Sequence, residues 1–395
     1  MVFICEGFMI GLLFTFNKSS TFNRHKDSTA KQIINIEENL IYDQVDVLPY
    51  DEKWEFPRKG LKLGKILGSG AFGTVRKAEA IGLTNEIGRT VAAKMVKLSA
   101  DPLHVKALTS ELKIMIYLGH HVNVLNLLGA CTTDLDKNDL VVIVEYCKYG
   151  NLHDFLFNQR NNFINQINES GEIDFTINNG STNDRATNKA NAVSKHGADV
   201  MEPDETCRNY QGEYNDTDIA PIKTKNLIDW CSQIAKGMEY TASRKVLHGD
   251  LAARNVLLAD GFVIKICDFG LAKNMYEDDI YERTRATLLP IRWMAIESIK
   301  DRVFSTQSDV WSFGITMWEL FSLSSTPYPG IQCSVDLYEK LVSGYRMGKP
   351  QFASDEIYGI MKECWNFSPM SRPTFTQLIN RIEGMLKQDM EIFSE

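Results

Sequence analysis

Asp250, Asn255 and Asp268 carry oxygen atoms suited to phosphate chemistry, and they stand close together in the chain. The stretch "VLHGDLAARNVLL", residues 246–258, sets Asp250, Arg254 and Asn255 in a polar loop between two apolar runs. Shortly after it, "ICDFGLA" carries Asp268. A carboxylate such as Asp250 can take the proton of an attacking hydroxyl. An amide oxygen from Asn255 and a carboxylate from Asp268 are the hard ligands that hold Mg²⁺ when substrate phosphates complete its shell. Each acid taken alone could equally be a loop cap. All of them together, in this order, point to phosphoryl transfer.

Groups that would hold the phosphates lie upstream. "GSGAFGTV" places Gly68, Gly70 and Gly73 between two strand-like runs. A dinucleotide fingerprint would need a helix after the turn and an acid about 20 positions on. Here a strand-like run follows, and Lys94 stands near the place where the acid would be. The GxGxxGxV form on a hairpin instead fits a loop laid over nucleotide phosphates. Lys94, at the end of "VAAK", offers an ammonium that can contact phosphate oxygens as a point charge. Glu111 sits among Leu108, Leu112 and Met115, which share or border its helical face. A carboxylate amid apolar neighbours needs a partner, and Lys94 is the candidate. Without that pairing the two would be an ordinary strand lysine and a helix-surface acid.

The elements that must position these groups are legible as patterns. "KLGKILGSGAFGTVRKAEA" reads as two strands joined by the glycine turn, and "TVAAKMVKL" as a third. "DPLHVKALTSELKIMIYLGH" reads as a helix, with Asp101 as N-cap, Pro102 at the first position and Gly119 ending it. "LVVIVEYC" reads as a buried strand and "NLHDFLF" as the start of a helix. "NLIDWCSQIAKGMEYTASRKVLH" is amphipathic, whereas "DVWSFGITMWELF" is apolar nearly all round and is expected to be a buried helix. The layout is a strand-rich small lobe followed by a helix-rich large one, with a cleft between them as the place for a ligand.

Bulk properties are compatible with this layout. The chain has 395 residues, of which 44% are hydrophobic and 24% charged, as in a globular protein with a core. A net charge of −8 argues against a general nucleic-acid binder. The eight cysteines contain no CxxC, which argues against zinc and a disulfide framework and fits a reducing interior. Residues 158–223 are rich in Asn, Ser, Thr, Asp and Gly without sustained periodicity, and are expected to be a disordered insert. At the start, "VFICEGFMIGLLFTF" is apolar but interrupted by Glu6, and is shorter than the roughly 20 residues that span a bilayer. Lys18, Arg24 and Lys26 follow it, as on the cytoplasmic side of a membrane helix. Residues 1–16 are therefore expected to be the inner end of a transmembrane helix, the alternative being an apolar leader on a soluble protein. The other expected parts are a juxtamembrane linker (17–53), a small lobe and hinge (54–147), a large lobe (148–157 and 224–388) and a tail (389–395).

Over about residues 55–388 these motifs resemble the protein kinase superfamily. "DLAARN", with Ala252 where serine/threonine kinases usually place Lys, and "LLPIRWMA", with Pro290 beside the expected phenol site, are similar to tyrosine kinases. "LPYDEKWEFPR", "LKLGKILGSGAFGTVRKAEA" and "ELKIMIYLGHHVNVLNLLGACT" resemble the split-kinase receptors of the platelet-derived and vascular endothelial growth factor families, whose insert falls where this one does. "VIVEYCKYGNL", with Val144 just before the hinge, is nearer the vascular endothelial type, and Gly249 resembles the invertebrate branch. The resemblance implies an α+β, bilobal fold with ATP in the cleft. Gly68, Gly70, Gly73 and Val75 would cover the nucleotide, with Glu145 and Cys147 at the hinge. Lys94, held by Glu111, would touch the α- and β-phosphates. Asp250 would be the base with Arg254 beside it, and Asn255 and Asp268 would hold Mg²⁺. Glu297, Arg372 and Asp309 would be structural, and Tyr276 and Tyr281 autophosphorylation sites.

The same resemblance implies a plasma-membrane receptor with its kinase on the cytoplasmic side. It would pair as a homodimer, phosphorylate protein tyrosines, recruit phosphotyrosine-reading adaptors and respond to a growth factor through an ectodomain absent from this sequence. No nucleic-acid partner is expected. A pseudokinase scaffold and a soluble non-receptor tyrosine kinase are the alternatives.

Two departures bear on regulation. Gly249 replaces an Arg that in related kinases grips an activation-loop phosphate. Ile296 replaces the Pro of Ala-Pro-Glu at 295–297. Neither position supplies the base, the metal ligands or the phosphate contacts, so catalysis is expected to be intact and the switch altered. Phosphorylation of Tyr281 should then matter less, unless Lys273, Arg283 or Arg285 takes over. The simpler alternative is that glycine eases a backbone turn. Tyr42, Tyr50, Tyr210 and Tyr214 fall in segments expected to be flexible and open to phosphorylation.

Overall fold

The computed structural model describes residues 50–69, 73–83, 88–96, 102–133, 140–178, 210–215, 219–269, 289–332 and 335–392. Gly70, Asp101, Tyr42, Tyr276, Tyr281, the three candidate replacement cations and residues 1–49 lie outside them. No described helix is long and apolar enough to cross a membrane.

The small lobe is built on β1 (Leu61–Ser69), β2 (Gly73–Ala80) and β3 (Arg89–Val96), followed by helix α1 (Pro102–Leu118), β4 (Leu127–Cys131) and β5 (Val141–Glu145). The five strands form an antiparallel sheet in the order β1-β2-β3-β5-β4. Strand parity divides its side chains between two faces. Val91 and Ala93 join Phe56, Val141 and Ile143 on one face. Ala92 and Val96 join Val142, Val144 and the α1 residues Leu108, Leu112 and Met115 on the other. Lys94 shares the parity of Ala92 and Val96, so the sheet aims it at α1. Gly119, with φ +69, ends that helix as expected.

The large lobe begins with α2 (Leu152–Gln159), capped by the Asn151 side chain. Short strands β6 (Phe163–Ile164) and β7 (Ile222–Lys223) pair in parallel, and α3 (Thr224–Ser243) follows. A hairpin of β8 (Val256–Leu258) and β9 (Ile264–Ile266) lies on the cleft side. Helices α4 (Ile296–Asp301), α5 (Thr306–Phe321), α6 (Val335–Val342), α7 (Asp355–Cys364) and α8 (Phe375–Ile392) complete the lobe. In α5, every residue from Ser308 to Phe321 is buried, as its all-round apolar sequence requires.

The stretch 158–223 is not featureless where it is described. Besides the β6–β7 pair, buried Gln166 accepts from the Lys225 amide at 3.0 Å and donates to the carbonyls of Phe175 (3.2 Å) and Ile177 (3.1 Å). A polar composition read as disorder here supplies the hydrogen bonds that fix the backbone. Tyr50, Tyr210 and Tyr214 are likewise packed, against the small-lobe core (Tyr50 and Tyr210) and the large-lobe core (Tyr214), rather than free.

Candidate active site

The β8–β9 hairpin brings the acids together. Val256 pairs with Ile266, so the residues just outside the pair, Asn255 and Cys267, face each other; the Cys267 amide donates to the Asn255 carbonyl at 3.0 Å. Asp250 and Asn255 precede one strand and Asp268 follows the other, at the same end of the hairpin. The Asn255 amide nitrogen donates to the Asp250 carboxylate at 2.8 Å and to its carbonyl at 2.7 Å. That leaves the Asn255 side-chain oxygen as the atom able to meet a cation. Arg254 forms an ion pair with Asp250 and lies over the Trp293 ring, 4.2 Å from its centroid.

Across the cleft, the Lys94 ammonium donates to both Glu111 oxygens, at 2.8 and 2.6 Å, and to Asp268 Oδ1 at 2.9 Å. The partner Glu111 was expected from its apolar helix neighbours; the contact with Asp268 was not legible in the sequence. Burial alone would pull the lysine down, but Asp268 and Glu111 outweigh it and hold it charged above its ordinary value. Burial raises the carboxyl of Glu111, while Lys94 keeps Asp268 below the usual range despite its own burial. Asp268 therefore offers a carboxylate oxygen of the kind that suits a hard divalent cation. Asp250 is 4% exposed, and burial pushes its carboxyl up against the opposing pull of Arg254. A carboxyl so raised is better matched to accepting a proton.

Two buried acids of α5 hold the catalytic loop by its backbone. Asp309 accepts from the amides of His248 and Gly249, both at 2.9 Å. Glu319 accepts from the Ala253 amide at 3.0 Å and the Trp293 indole at 2.8 Å. Asp309 was expected to be structural, whereas Glu319 was missed. Its signal was present: an acid inside a helix apolar all round must have a partner. Glu297 meets Arg372 through two bonds, 2.6 and 2.9 Å long. Ile296 opens α4 with its side chain buried, which gives it a packing role. Gly249 has φ +72, a left-handed backbone that favours glycine.

Around the nucleotide side, Gly68 pairs with Val75 across β1 and β2, and Gly73 starts β2. The Cys147 amide lies at the hinge and donates to the Tyr210 hydroxyl at 3.2 Å. The Glu145 side chain turns away to accept from Asn126 and from Lys265, the latter at 2.8 Å.

A two-lobed fold with a lysine–carboxylate pair facing a second acid cluster defines a phosphotransferase class. The family model for protein tyrosine and serine/threonine kinases matches residues 61–382, and the chain belongs to that family. The family uses ATP and a divalent metal. Among curated relatives, vascular endothelial growth factor receptor 3 of Coturnix coturnix is 44% identical over 88% of this chain and 26% of its own length. Vascular endothelial growth factor receptor 1 of Homo sapiens is 42% identical over 91% and 27%. Mast/stem cell growth factor receptor Kit of Takifugu rubripes is 42% identical over 88% and 37%. The kinase domain is thus similar to those of split-kinase receptor tyrosine kinases. The chain spans between about a quarter and a little over a third of these relatives' lengths.

Proposed function

We propose that this chain is the cytoplasmic part of a receptor protein-tyrosine kinase that moves the γ-phosphoryl group of ATP to protein tyrosine hydroxyls, its own included. The observation that carries the reading is the assembled site: Lys94 tied to Glu111 and Asp268, facing Asp250 and Asn255. Asp250 takes the phenol proton as the tyrosine oxygen bonds to the γ-phosphorus and the bond to the bridging oxygen of ADP breaks. Lys94 neutralises the α- and β-phosphates. Asn255 and Asp268 form an all-oxygen donor set that fits Mg²⁺, which when bound would offset phosphate charge. Arg254, fixed between Asp250 and Trp293, orients the base. The glycine strands, Val75 and the backbone at Glu145 and Cys147 frame the nucleotide.

Likeness to membrane receptors supports a plasma-membrane location, pairing into a homodimer, activation by a growth factor through an extracellular part, and adaptor recruitment to phosphotyrosines. Tyr276 and Tyr281 are the proposed activation-loop acceptors. The test is autophosphorylation with Mg²⁺ and ATP, read with phosphotyrosine-specific detection. Wild type should label, and Asp250→Asn should lose at least about a hundredfold in rate. Nucleotide binding without any phosphotyrosine in the wild type would overturn this reading in favour of a scaffold.

A further inference from the structure

The described residues 210–215 lie inside the expected insert, yet they cross the cleft at the hinge. The Tyr210 ring packs against the cluster that holds Leu67, Ala92 and Val144, and its hydroxyl accepts from the Cys147 amide at 3.2 Å. The Tyr210 carbonyl accepts from the Asn151 amide at 3.0 Å and from its side chain at 2.8 Å. The Gln211 amide donates to Leu67 at 2.9 Å, and the Glu213 amide to Lys148 at 2.8 Å. Glu213 meets Lys77 at 2.6 Å, and also Lys65 and the Tyr146 hydroxyl. Tyr214 closes an aromatic group with Tyr149 and Phe155, at centroid distances of 5.6 and 5.4 Å.

The fit depends on two glycines set back to back. A Cβ on Gly212 would lie 2.4 Å from the Tyr149 carbonyl oxygen, and one on Gly150 would lie 2.4 Å from the Gly212 amide. A flat ring in the apolar slot and an acceptor on the hinge amide are the features a purine base would present to the same place. Meanwhile Lys94, Glu111 and Asp268 are already in contact.

We propose that the Tyr210–Tyr214 segment is an internal competitor for nucleotide, with the Tyr210 phenol occupying the base-binding slot at Cys147 and leaving when ATP enters. The proposal rests on the reading of the cleft as the ATP site. A segment that is docked for most of the time weakens apparent nucleotide affinity by the fraction of open molecules. Of the two lysines that meet Glu213, Lys65 is well exposed and adds little, whereas Lys77 is half-buried.

The test uses the full chain and two readouts. In nucleotide-free wild type, the Gln211 and Glu213 amides should exchange slowly with solvent deuterium, and saturating AMP-PNP with Mg²⁺ should expose them. Gly212→Val should remove that protection and bind AMP-PNP at least about tenfold more tightly by calorimetry. Tyr210→Phe, which removes only the hinge hydrogen bond, should bind it about fivefold more tightly. Melting temperatures establish that both variants fold, and Tyr210→Phe carries the test if Gly212→Val does not. Equal affinities in all folded proteins, or fast exchange at Gln211 and Glu213 in nucleotide-free wild type, would overturn the proposal. If none binds AMP-PNP while Gly212→Val still loses protection, the ATP reading and the competition fall together and the docked segment stands.

Discussion

Asp268 and Gly249 occupy the same left-handed region of backbone, with φ +68 and +72, at the two ends of the catalytic cluster. A side chain there costs up to about 1–2 kcal/mol, less for Asp than for most residues, and the bond from Lys94 helps to hold Asp268 in place. Gly249 avoids that cost, so its presence has a backbone reason. Next to it, His248 is fully buried with its two nitrogens in different roles. The Asp250 amide donates to Nδ1 at 3.2 Å, and Nε2 faces the Cys267 carbonyl at 3.0 Å, which requires the neutral ring with its proton on Nε2. Burial keeps its pKa below the ordinary 6.5, against the pull of Asp309 and Asp268 and with a smaller contribution from Arg254. The sign follows from linkage: below that value the unfolded chain binds a proton the folded chain refuses, so unfolding free energy falls as pH drops through and below 6.5. Asp250 and Asp309, whose burial raises them, act with the opposite sign from the ordinary carboxylate range upward. The measurement is therefore a difference. Denaturant titrations of wild type and His248→Gln between pH 8 and about pH 5.5 should show the steeper acid loss in wild type, and equal slopes would remove His248 from the account. Little of this was legible in "LHGD", because the Cys267 carbonyl that meets Nε2 and the burial of the ring come from residues distant in sequence.

Among elements, those set by periodicity were legible and those set by polar contacts were not. The strand-like run "TVAAKMVKL" and the apolar neighbours of Glu111 on its helix made Lys94 the candidate partner, so their meeting could be argued from the sequence alone. The opposite held for the insert ends, where Gln166 and the β6–β7 pair order a stretch whose composition suggested none. Helix α4 illustrates an element that tolerates a change of motif. Ala295 precedes Ile296 with φ −69 and ψ 157, the extended conformation that a following proline demands. Position 296 is the first residue of the helix, where a missing amide hydrogen costs nothing. Ile296→Pro loses roughly one buried carbon, about 0.8 kcal/mol, and regains about 0.4–1 kcal/mol through a stiffer unfolded chain. Its stability should stay within about 0.5 kcal/mol of wild type in urea titrations. A loss beyond about 2 kcal/mol would mean that the Ile296 side chain, and not the helix start, holds this region together.

At the scale of the molecule, the site exists only because a strand-built lobe and a helical lobe are held in register. The tie runs through the loop before β4 and through Glu145 at the end of β5. The Leu125 amide donates to Ile266 at 2.9 Å, the Ile266 amide to Asn123 at 2.9 Å, and the Glu145 carboxylate binds Lys265 of β9. The Glu145 side chain also accepts from the Asn126 amide and side chain, both at 2.7 Å. A position expected to serve the nucleotide thus serves the joint between lobes, and leaves only its backbone to face the cleft. The Lys265 side chain is 8% exposed, and Glu145 is the carboxylate it meets, at 2.8 Å. Glu145→Gln keeps the shape and the acceptor but leaves the ammonium buried without its anion, at a cost of about 3–5 kcal/mol. Adding Lys265→Met should recover most of the loss, because removing both charges is far cheaper than stranding one. Nucleotide affinity should change little in either variant, since the Cys147 amide is untouched. Thermal melts set beside calorimetry of AMP-PNP binding separate the two effects. A single variant as stable as wild type would show that the lobes are joined by the backbone bridges alone.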